Sequence, residues 1–146
     1  MSSFDRYLED VLARAAREAQ DDGSATVEAR HLLLAVTAVD DSLLGLDHHA
    51  VRSALDREFT QSLAAAGVRV SGDVPRASRP LPGNPGLGAS AKAALERAFA
   101  TIPRKRDASP AHLAIGILSA EAGTVPRALD LAGVDRKALI ERLRQR

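Results

Sequence analysis

The sequence contains no cysteine and no tryptophan, and its aromatic residues are three Phe and one Tyr among 146 residues. Without thiols the chain forms neither disulfides nor thiolate metal sites, and the cytoplasm is the expected compartment. The longest apolar run, residues 32–36, is far shorter than the roughly 20 residues of a membrane-spanning helix. The opening residues are polar and acidic rather than basic and then apolar. We therefore expect neither a membrane span nor a signal segment.

The motifs of several catalytic and cofactor-binding classes are also missing. No lysine follows the Gly-x4-Gly pattern of a phosphate-binding loop, and no Gly-x-Ser-x-Gly turn is present. The adjacent His48 and His49 would point about 100° apart on a helix, which does not suit one metal ion. These absences predict a protein that is not an enzyme and that holds no metal or cofactor.

Glycine and proline concentrate in one part of the chain. Residues 67–90 hold five of the ten glycines and four of the seven prolines, and they show no apolar periodicity. This composition predicts a linker, placed at residues 67–86, between two halves at 1–66 and 87–146. The halves repeat the same order of apolar spacing, caps and turns, which indicates two copies of one unit.

Each half begins with two helical patterns. Apolar residues recur at three- and four-residue intervals over 4–19 and, with the same spacing, over 87–102. A second helix follows, over 28–36 in one copy and 109–117 in the other, and it is apolar on nearly all sides. Its start is marked by Ser109 and Pro110 in the second copy and falls at Thr26 or Glu28 in the first, with His31 and His112 in the first turn. Such a helix is typical of the buried centre of a bundle. We expect both imidazoles to pack in the core and bond to backbone groups of the neighbouring turn, with a ligand or catalytic role as the alternative.

Matching signals also close each half. Gly45 and Gly133 end a helix in a left-handed turn, and two residues later in each copy an Asp caps the next helix. The second copy has seven more residues between its His and this Gly, which predicts a short extra helix over 124–131 that the first copy reduces to 40–44. The sequence thus predicts an all-α fold without strands, with seven or eight helices in two four-helix units related by a pseudo-twofold axis.

Four motifs recur in this order in a known family: Phe4 with the Ala-Ala-Arg-Glu-Ala run at 15–19, His31-Leu-Leu-Leu-Ala, Ser-Pro-Ala-His112-Leu, and Ala-Leu-x-x-Ala-Gly-Val-Asp at 128–135. With these motifs the repeats resemble the Clp N-terminal domain, the double four-helix unit at the front of the ClpA, ClpB and ClpC ring chaperones, and they look like a stand-alone actinobacterial ClpC-type protein. The resemblance implies a domain that docks substrates, adaptor proteins or regulatory peptides for an ATPase ring. No ATPase module follows within the 146 residues, as expected of a free-standing protein or an excised domain.

The resemblance also suggests binding residues. Some ClpC domains recognise phosphorylated arginine through a Glu just before the second-helix His of each repeat, where this chain has Arg30 and Ala111. A cation and a methyl group replace the carboxylates, which argues against that activity. Actinobacterial ClpC domains bind cyclic peptides around the opening Phe of the repeats, where this chain has Phe4 and Leu87. Phe4, Tyr7 and Leu87 are therefore candidates for a peptide-binding surface, although Phe4 also suits the core.

Charge divides the halves. Residues 1–66 carry six Lys and Arg against twelve Asp and Glu, whereas residues 67–146 carry fourteen against seven. This polarity suits steering of a charged partner or simply solvated helix faces. The candidate contact loop Arg104, Lys105 and Arg106 stands where the first copy has two aspartates. It supports an alternative function, a small helical regulatory protein binding nucleic acid or another phosphate-bearing partner, although residues 109–118 are apolar rather than a basic recognition helix.

The function expected from the sequence is non-enzymatic binding of protein or peptide ligands of the Clp system, as an adaptor or decoy of a ClpC-type ATPase. Expected partners are Clp components, adaptors, substrate peptides and cyclic peptides, through exposed helix faces and the cleft between the repeats. We expect no membrane partner. A third possibility is sequestration of a small molecule in that cleft.

Overall fold

A computed structural model of the chain describes residues 2–68 and 85–146. The predicted linker, 67–86, lies mostly outside the described residues. Within the described part there are seven α-helices, one 3-10 turn and two short strands. They are α1 (Ser3–Asp21), β1 (Thr26–Val27), α2 (Ala29–Val39), α3 (His48–Ala65), β2 (Gly86–Leu87), α4 (Ala89–Ala100), the 3-10 turn Lys105–Asp107, α5 (Pro110–Leu118), α6 (Thr124–Leu131) and α7 (Arg136–Arg144).

The all-α prediction is confirmed, with one correction to the expectation of no strands. The strands β1 and β2 are each two residues long and pair in parallel, with Val27 opposite Leu87. The Gly88 N–H extends the pairing by donating to the Val27 carbonyl at 2.8 Å. Both strands are the extended residues that lead into α2 and α4, and pairing satisfies backbone groups where these helices start side by side. Two residues are too few to show an alternating pattern in the sequence, which is why the strands were not predicted. Leu87, which the apolar spacing placed at the start of the helix, lies in β2 before α4.

The helix-ending signal acts as predicted at Gly133, which follows α6, whereas Gly45 ends a turn at 41–45 rather than a helix, because α2 already ends at Val39. Gly45 and Gly133 have φ of 65° and 72°, the left-handed region that glycine adopts without a steric cost. Asp47 and Asp135 each accept a backbone N–H from the third helical residue, at 3.1 Å in both copies. The extra helix of the second copy is α6, and the first copy has only a turn in the corresponding segment.

The two central helices, α2 and α5, carry the core. Ala29 and residues 31–37 of α2 are all buried, and α2 contacts α1, α3, α4, α5 and α6. One hydrophobic core therefore runs through both repeats. On the second-repeat side α4 and α5 approach closely, because Gly116 of α5 faces Ala94 and Ala98 of α4.

Polar contacts also join the repeats. Glu58 of α3 is 5% exposed, and it accepts from Arg127 Nε of α6 at 3.0 Å. Arg142 of α7 donates to the Leu44 carbonyl of the first repeat at 2.7 Å. With the shared core, these contacts hold the two repeats as one unit.

Candidate functional site

A cleft of about 400 Å³ lies between the two repeats. Its base and one side come from small and apolar residues, among them Ala93 of α4, Ala120, Val125 and Pro126. Its wall at residues 120–127 includes the start of α6, the helix that the first repeat lacks, so the cleft depends on the asymmetry between the copies. Three arginines, Arg30, Arg97 and Arg127, line it from three different helices.

Each of these arginines is held by hydrogen bonds from one nitrogen of its guanidinium, and the other N–H groups of that guanidinium can donate to a ligand. Arg97 Nε donates to the Gly116 carbonyl at 2.9 Å, and Arg127 Nε donates to Glu58. Arg30 Nη2 donates to Ser24 Oγ at 2.7 Å and to Asp22 Oδ2 at 3.2 Å. A guanidinium has five N–H donors. The cleft therefore presents cationic donors that are already oriented by the fold.

One carboxylate lies in the cleft, and it is occupied by the chain itself. Glu28 accepts from Ser90 Oγ at 2.7 Å, from the Ser90 backbone N–H at 3.3 Å and from the Thr26 hydroxyl. Ser90 Oγ in turn accepts the Ala29 N–H at 2.8 Å. Burial acts to raise the pKa of Glu28, but these hydrogen bonds outweigh it and lower the pKa. Glu28 thus stays ionised and ties the start of α4 to the start of α2.

Two further grooves occupy equivalent places in the two repeats, and their charges differ. The first-repeat groove has a volume of about 350 Å³ and includes Glu18, Arg30 and Asp56. The second-repeat groove has about 330 Å³ and has Thr101, Ala111 and Arg144 at the matching positions. The same architecture therefore presents mixed charge with several acids on one repeat and mainly cationic and apolar groups on the other.

Internal ion pairs line the first-repeat groove. Glu18 is 6% exposed and binds Arg52 Nη2 through both carboxylate oxygens at 2.9 Å, with Arg14 Nε at 3.3 Å. Burial, followed by the charge of Arg52, lowers the pKa of the neighbouring His48, whose Nδ1 lies 2.8 Å from Thr37 Oγ1. The Glu18 carboxylate of this groove is thus paired with two guanidinium groups of the chain.

Asp22 also lines that groove, and the buried His31 lies behind it. The imidazole of His31 is fully buried, its Nδ1 accepts the Glu28 N–H at 2.9 Å, and its Nε2 lies 2.8 Å from Asp22 Oδ2. Because Nδ1 is an acceptor, Nε2 carries the proton and donates to the carboxylate. Burial acts to raise the pKa of Asp22, but the bonds from His31 and Ser24 and the charge of Arg30 hold it well below its usual range.

The sequence prediction for the two histidines agrees with these contacts. His112 Nδ1 accepts the Ser109 backbone N–H at 3.1 Å, as His31 does for Glu28. Both imidazoles therefore cap the start of their helices. Among the residues described, no group of His, Cys, Asp and Glu side chains could hold a metal ion.

The structure places the other candidate residues in two regions. Phe4 is 7% exposed and its ring centre lies 6.4 Å from that of Tyr7. Burial and the charge of Asp40 raise the pKa of Tyr7 to about 12, and its hydroxyl is buried without a hydrogen-bond partner in the described part of the chain. Leu87, half-buried in β2, lies at the junction of the repeats. These positions make Phe4 mainly a core residue, while its predicted role in peptide binding stays a prediction.

The basic loop is exposed, as expected of a contact surface. Arg104, Lys105 and Arg106 are all exposed, and Arg104 Nε binds Asp107 at 2.9 Å. The charge of Lys105 is close enough to Asp5 of α1 to contribute to the lowered pKa of that carboxyl, behind the larger effect of hydrogen bonds from Ser2. The loop therefore lies near the start of α1, at a distance from the cleft that Arg30 lines.

Sequence reasoning identified Arg30 but missed the other charged residues of the cleft. Arg97 lies on an ordinary amphipathic helix, and Arg127 lies within the segment recognised as an extra helix. Glu28 and Ser90 are 62 residues apart in the chain. The extra segment was the one available signal, because an element present in one repeat alone must make a surface that the other repeat lacks.

No protein-family model matches the chain, and no curated protein matches it in sequence. No helix within the described ranges is long and apolar enough to cross a membrane. Solved structures do match. The N-terminal domain of the caseinolytic protease associated chaperone ClpD from Arabidopsis thaliana superposes with a TM-score of 0.68 at 20% identity, covering 99% of this chain and 96% of that one.

A second solved chain comes from preliminary structural investigations of a malarial protein secretion system. It has a TM-score of 0.68 at 18% identity and covers 94% of this chain and 89% of its own. The likeness spans both repeats and both ends of the described chain. The paired helical repeats, their central histidine-capped helices and this agreement along the whole length show that the chain has the fold of a Clp N-terminal domain.

Proposed function

We propose that this chain is a non-enzymatic binding module that takes protein or peptide ligands of the Clp chaperone-protease system in the cytoplasm, as an adaptor or decoy of a ClpC-type ATPase. The single observation that carries the proposal is the cleft between two locked repeats, in a chain with the Clp N-terminal fold. Clefts lined by apolar groups with a few oriented polar donors are the usual form of a ligand site.

The chemistry of the histidines supports a binding role rather than catalysis. Ser109 Oγ lies 3.1 Å from His112 Nδ1, the spacing of a nucleophile and a base. That Nδ1 has one lone pair, and the Ser109 backbone N–H occupies it. In the first repeat, Ser24 donates to Asp22 rather than to the imidazole of His31. Neither serine is therefore activated by its neighbouring histidine.

Two binding measurements test the proposal. We expect the purified chain to be retained on an immobilised ClpC-type ring, and calorimetry to show saturable binding of a ClpC-binding cyclic peptide. Phe4→Ala should weaken binding of the cyclic peptide, because it removes the aromatic ring at the start of α1. Phe99→Ala is the matched control, since the ring of Phe99 is 49% exposed on α4 and is not among the candidate contacts.

Circular dichroism of both variants establishes that they remain folded, which matters because Phe4 is buried. Absence of heat with the cyclic peptide together with no retention on the ring would show that the proposed function is wrong. Equal weakening by Phe4→Ala and Phe99→Ala would show that the predicted Phe4 surface is not the contact.

The exposed basic loop favours one alternative, binding of a phosphate-bearing partner such as nucleic acid by the second repeat. Phosphate contacts make affinity fall steeply as salt rises, whereas contacts with an apolar groove respond weakly. Fluorescence anisotropy of a labelled 20-base DNA between about 50 and 200 mM salt separates the two. Steep salt dependence that is lost in Arg106→Gln would favour this alternative.

A further inference from the structure

The cleft between the repeats combines two features that seldom occur together on a solvated helix face. Its apolar lining is formed by small side chains such as Ala93, Val125 and Pro126, of which the last two are buried. Its cationic groups, Arg30, Arg97 and Arg127, are held in place by bonds to other parts of the chain. Such fixed arginines lose less side-chain freedom when they bind a ligand than free surface arginines do.

The charge balance of the cleft is positive. Three arginines line it together with one carboxylate, Glu28, which already accepts hydrogen bonds from Thr26 and Ser90. From outside the lining, Asp22 pairs with Arg30 and Glu58 pairs with Arg127, whereas no ion pair of Arg97 is found among the described residues. The bonds of Arg97 and Arg127 that fix them use Nε, and no bond of their terminal Nη groups is found in the described part of the chain. Two Nη groups side by side match the two oxygens of a carboxylate.

The size and the apolar base favour an extended ligand over a small ion. A volume of about 400 Å³ is well above what one phosphate or carboxylate group fills, and its apolar residues have no role in binding a bare anion. A peptide supplies both chemistries, since its backbone and short side chains cover the base while its acidic side chains reach the arginines.

We propose that the cleft between the repeats binds an acidic segment of a partner protein. The carboxylates of that segment are held by Arg97 and Arg127 of the second repeat and by Arg30 on the first-repeat side of the cleft. The inference rests on the proposed function and adds the chemical class of the ligand and the residues that select it. It assigns the selective contacts to the segment 120–127 and α4, apart from Phe4 and from the basic loop.

The test is a nuclear magnetic resonance titration of the isotope-labelled chain with two hexapeptides, one alternating alanine with glutamate and one alternating alanine with glutamine. We expect the glutamate peptide to shift the amide signals of Ala93 and residues 120–127. Its affinity should exceed that of the glutamine peptide by about tenfold or more, since one charge-assisted contact suffices for that ratio. Raising the salt should reduce the difference.

Three variants separate binding from stability. Arg97→Gln removes one guanidinium group and should reduce the affinity of the chain for the glutamate peptide about tenfold. Arg142→Gln is the matched control, because Arg142 also donates to a backbone carbonyl, that of Leu44, and neither Arg142 nor Leu44 lines the cleft. Ala93→Leu fills the base without touching an ion pair and should block both peptides.

Three results would overturn the proposal: equal affinity for both peptides, shifts confined to residues outside the cleft, or equal losses in Arg97→Gln and Arg142→Gln. Stronger shifts with inorganic phosphate alone than with the glutamate peptide would replace it with a phosphate site. The ring and cyclic-peptide measurements are independent of these outcomes, so failure of the acidic ligand leaves the broader function to be judged by its own test.

Discussion

Gly116 lies where α5 approaches α4 most closely. A Cβ at this position would lie 2.5 Å from the Ala94 carbonyl oxygen and 2.6 Å from the Ala98 Cβ. The equivalent position of the first repeat is Ala35, which is fully buried. One hydrogen atom at position 116 thus sets the distance between two helices, and the second repeat is packed more tightly here than the sequence pattern alone indicates.

Gly116→Ala should therefore destabilise the protein. Alanine improves helix propensity by about 1 kcal/mol, but forcing a methyl group into a filled helix contact costs about 1 to 3 kcal/mol or more. We expect the melting temperature, followed by circular dichroism, to fall by several degrees. Gly86→Ala is the control, because nothing lies within 4 Å of a Cβ there. An unchanged or higher melting temperature in Gly116→Ala would contradict the packing described.

Asp22 makes the stability sensitive to acid. The pKa of Asp22 in the folded state lies below its unfolded value of about 3.9. At pH values between these two pKa values, the folded state binds fewer protons than the unfolded state. The stabilisation from Asp22 is therefore complete above about pH 4 and is lost as the pH falls below it. Asp22→Asn should unfold at lower urea at pH 7, and its deficit should narrow as the pH falls toward 2.

The exposed neighbour Asp21 supplies the control for this prediction. Asp21→Asn should follow the wild-type curve of urea midpoint against pH. If Asp22→Asn keeps the same deficit at every pH, its effect is one of packing and not of ionisation.

At the scale of helices and strands, the starts of α2 and α4 depend on each other. Gly88 precedes α4 without a capping side chain, and a Cβ there would lie 1.8 Å from Glu28 Oε2. Glu28 of the first repeat therefore occupies the place of a cap for the second. Ser90 reciprocates by accepting the Ala29 N–H of α2.

Ser90→Ala removes both directions of this exchange. It leaves the Ala29 N–H without its partner and Glu28 with fewer donors, so we expect a loss of about 1 to 2 kcal/mol in the free energy of unfolding. Urea denaturation measures it. Ser53→Ala, at an exposed position in the middle of α3, should change stability by only a few tenths of a kcal/mol. A similar small change in Ser90→Ala would count against the shared cap.

Local signals predicted these elements well, and contacts between distant residues were beyond them. Ser and Asp caps and left-handed glycines act within four residues, so the bounds of α6 and the starts of α3 and α7 could be read from the chain. Whether Phe4 faced the core or a ligand depended on burial that spacing does not give. The partners of Glu58 and Arg142 lie 69 and 98 residues away, and no local pattern reports them.

For the whole molecule, the shared core predicts that the repeats unfold together. α2 contacts helices of both repeats, and α3 packs on α6. Neither half can lose its structure without exposing apolar surface of the other, so calorimetric and van't Hoff enthalpies should agree in one transition. Gly116→Ala in the second repeat and Asp22→Asn in the first should each shift that single transition. Two separate heat-absorption peaks would contradict this coupling.

The segment that forms α6 occurs in one repeat alone, and this has a numerical consequence. A symmetric pair of repeats would offer two equal sites, and a ligand with two copies of a motif could bind both at once and gain avidity. Among the described residues this segment forms one cleft of this kind, so we expect the proposed ligand to bind there with a stoichiometry of one segment per chain. Tighter capture must then come from clustering several chains or from contacts elsewhere on the same ligand.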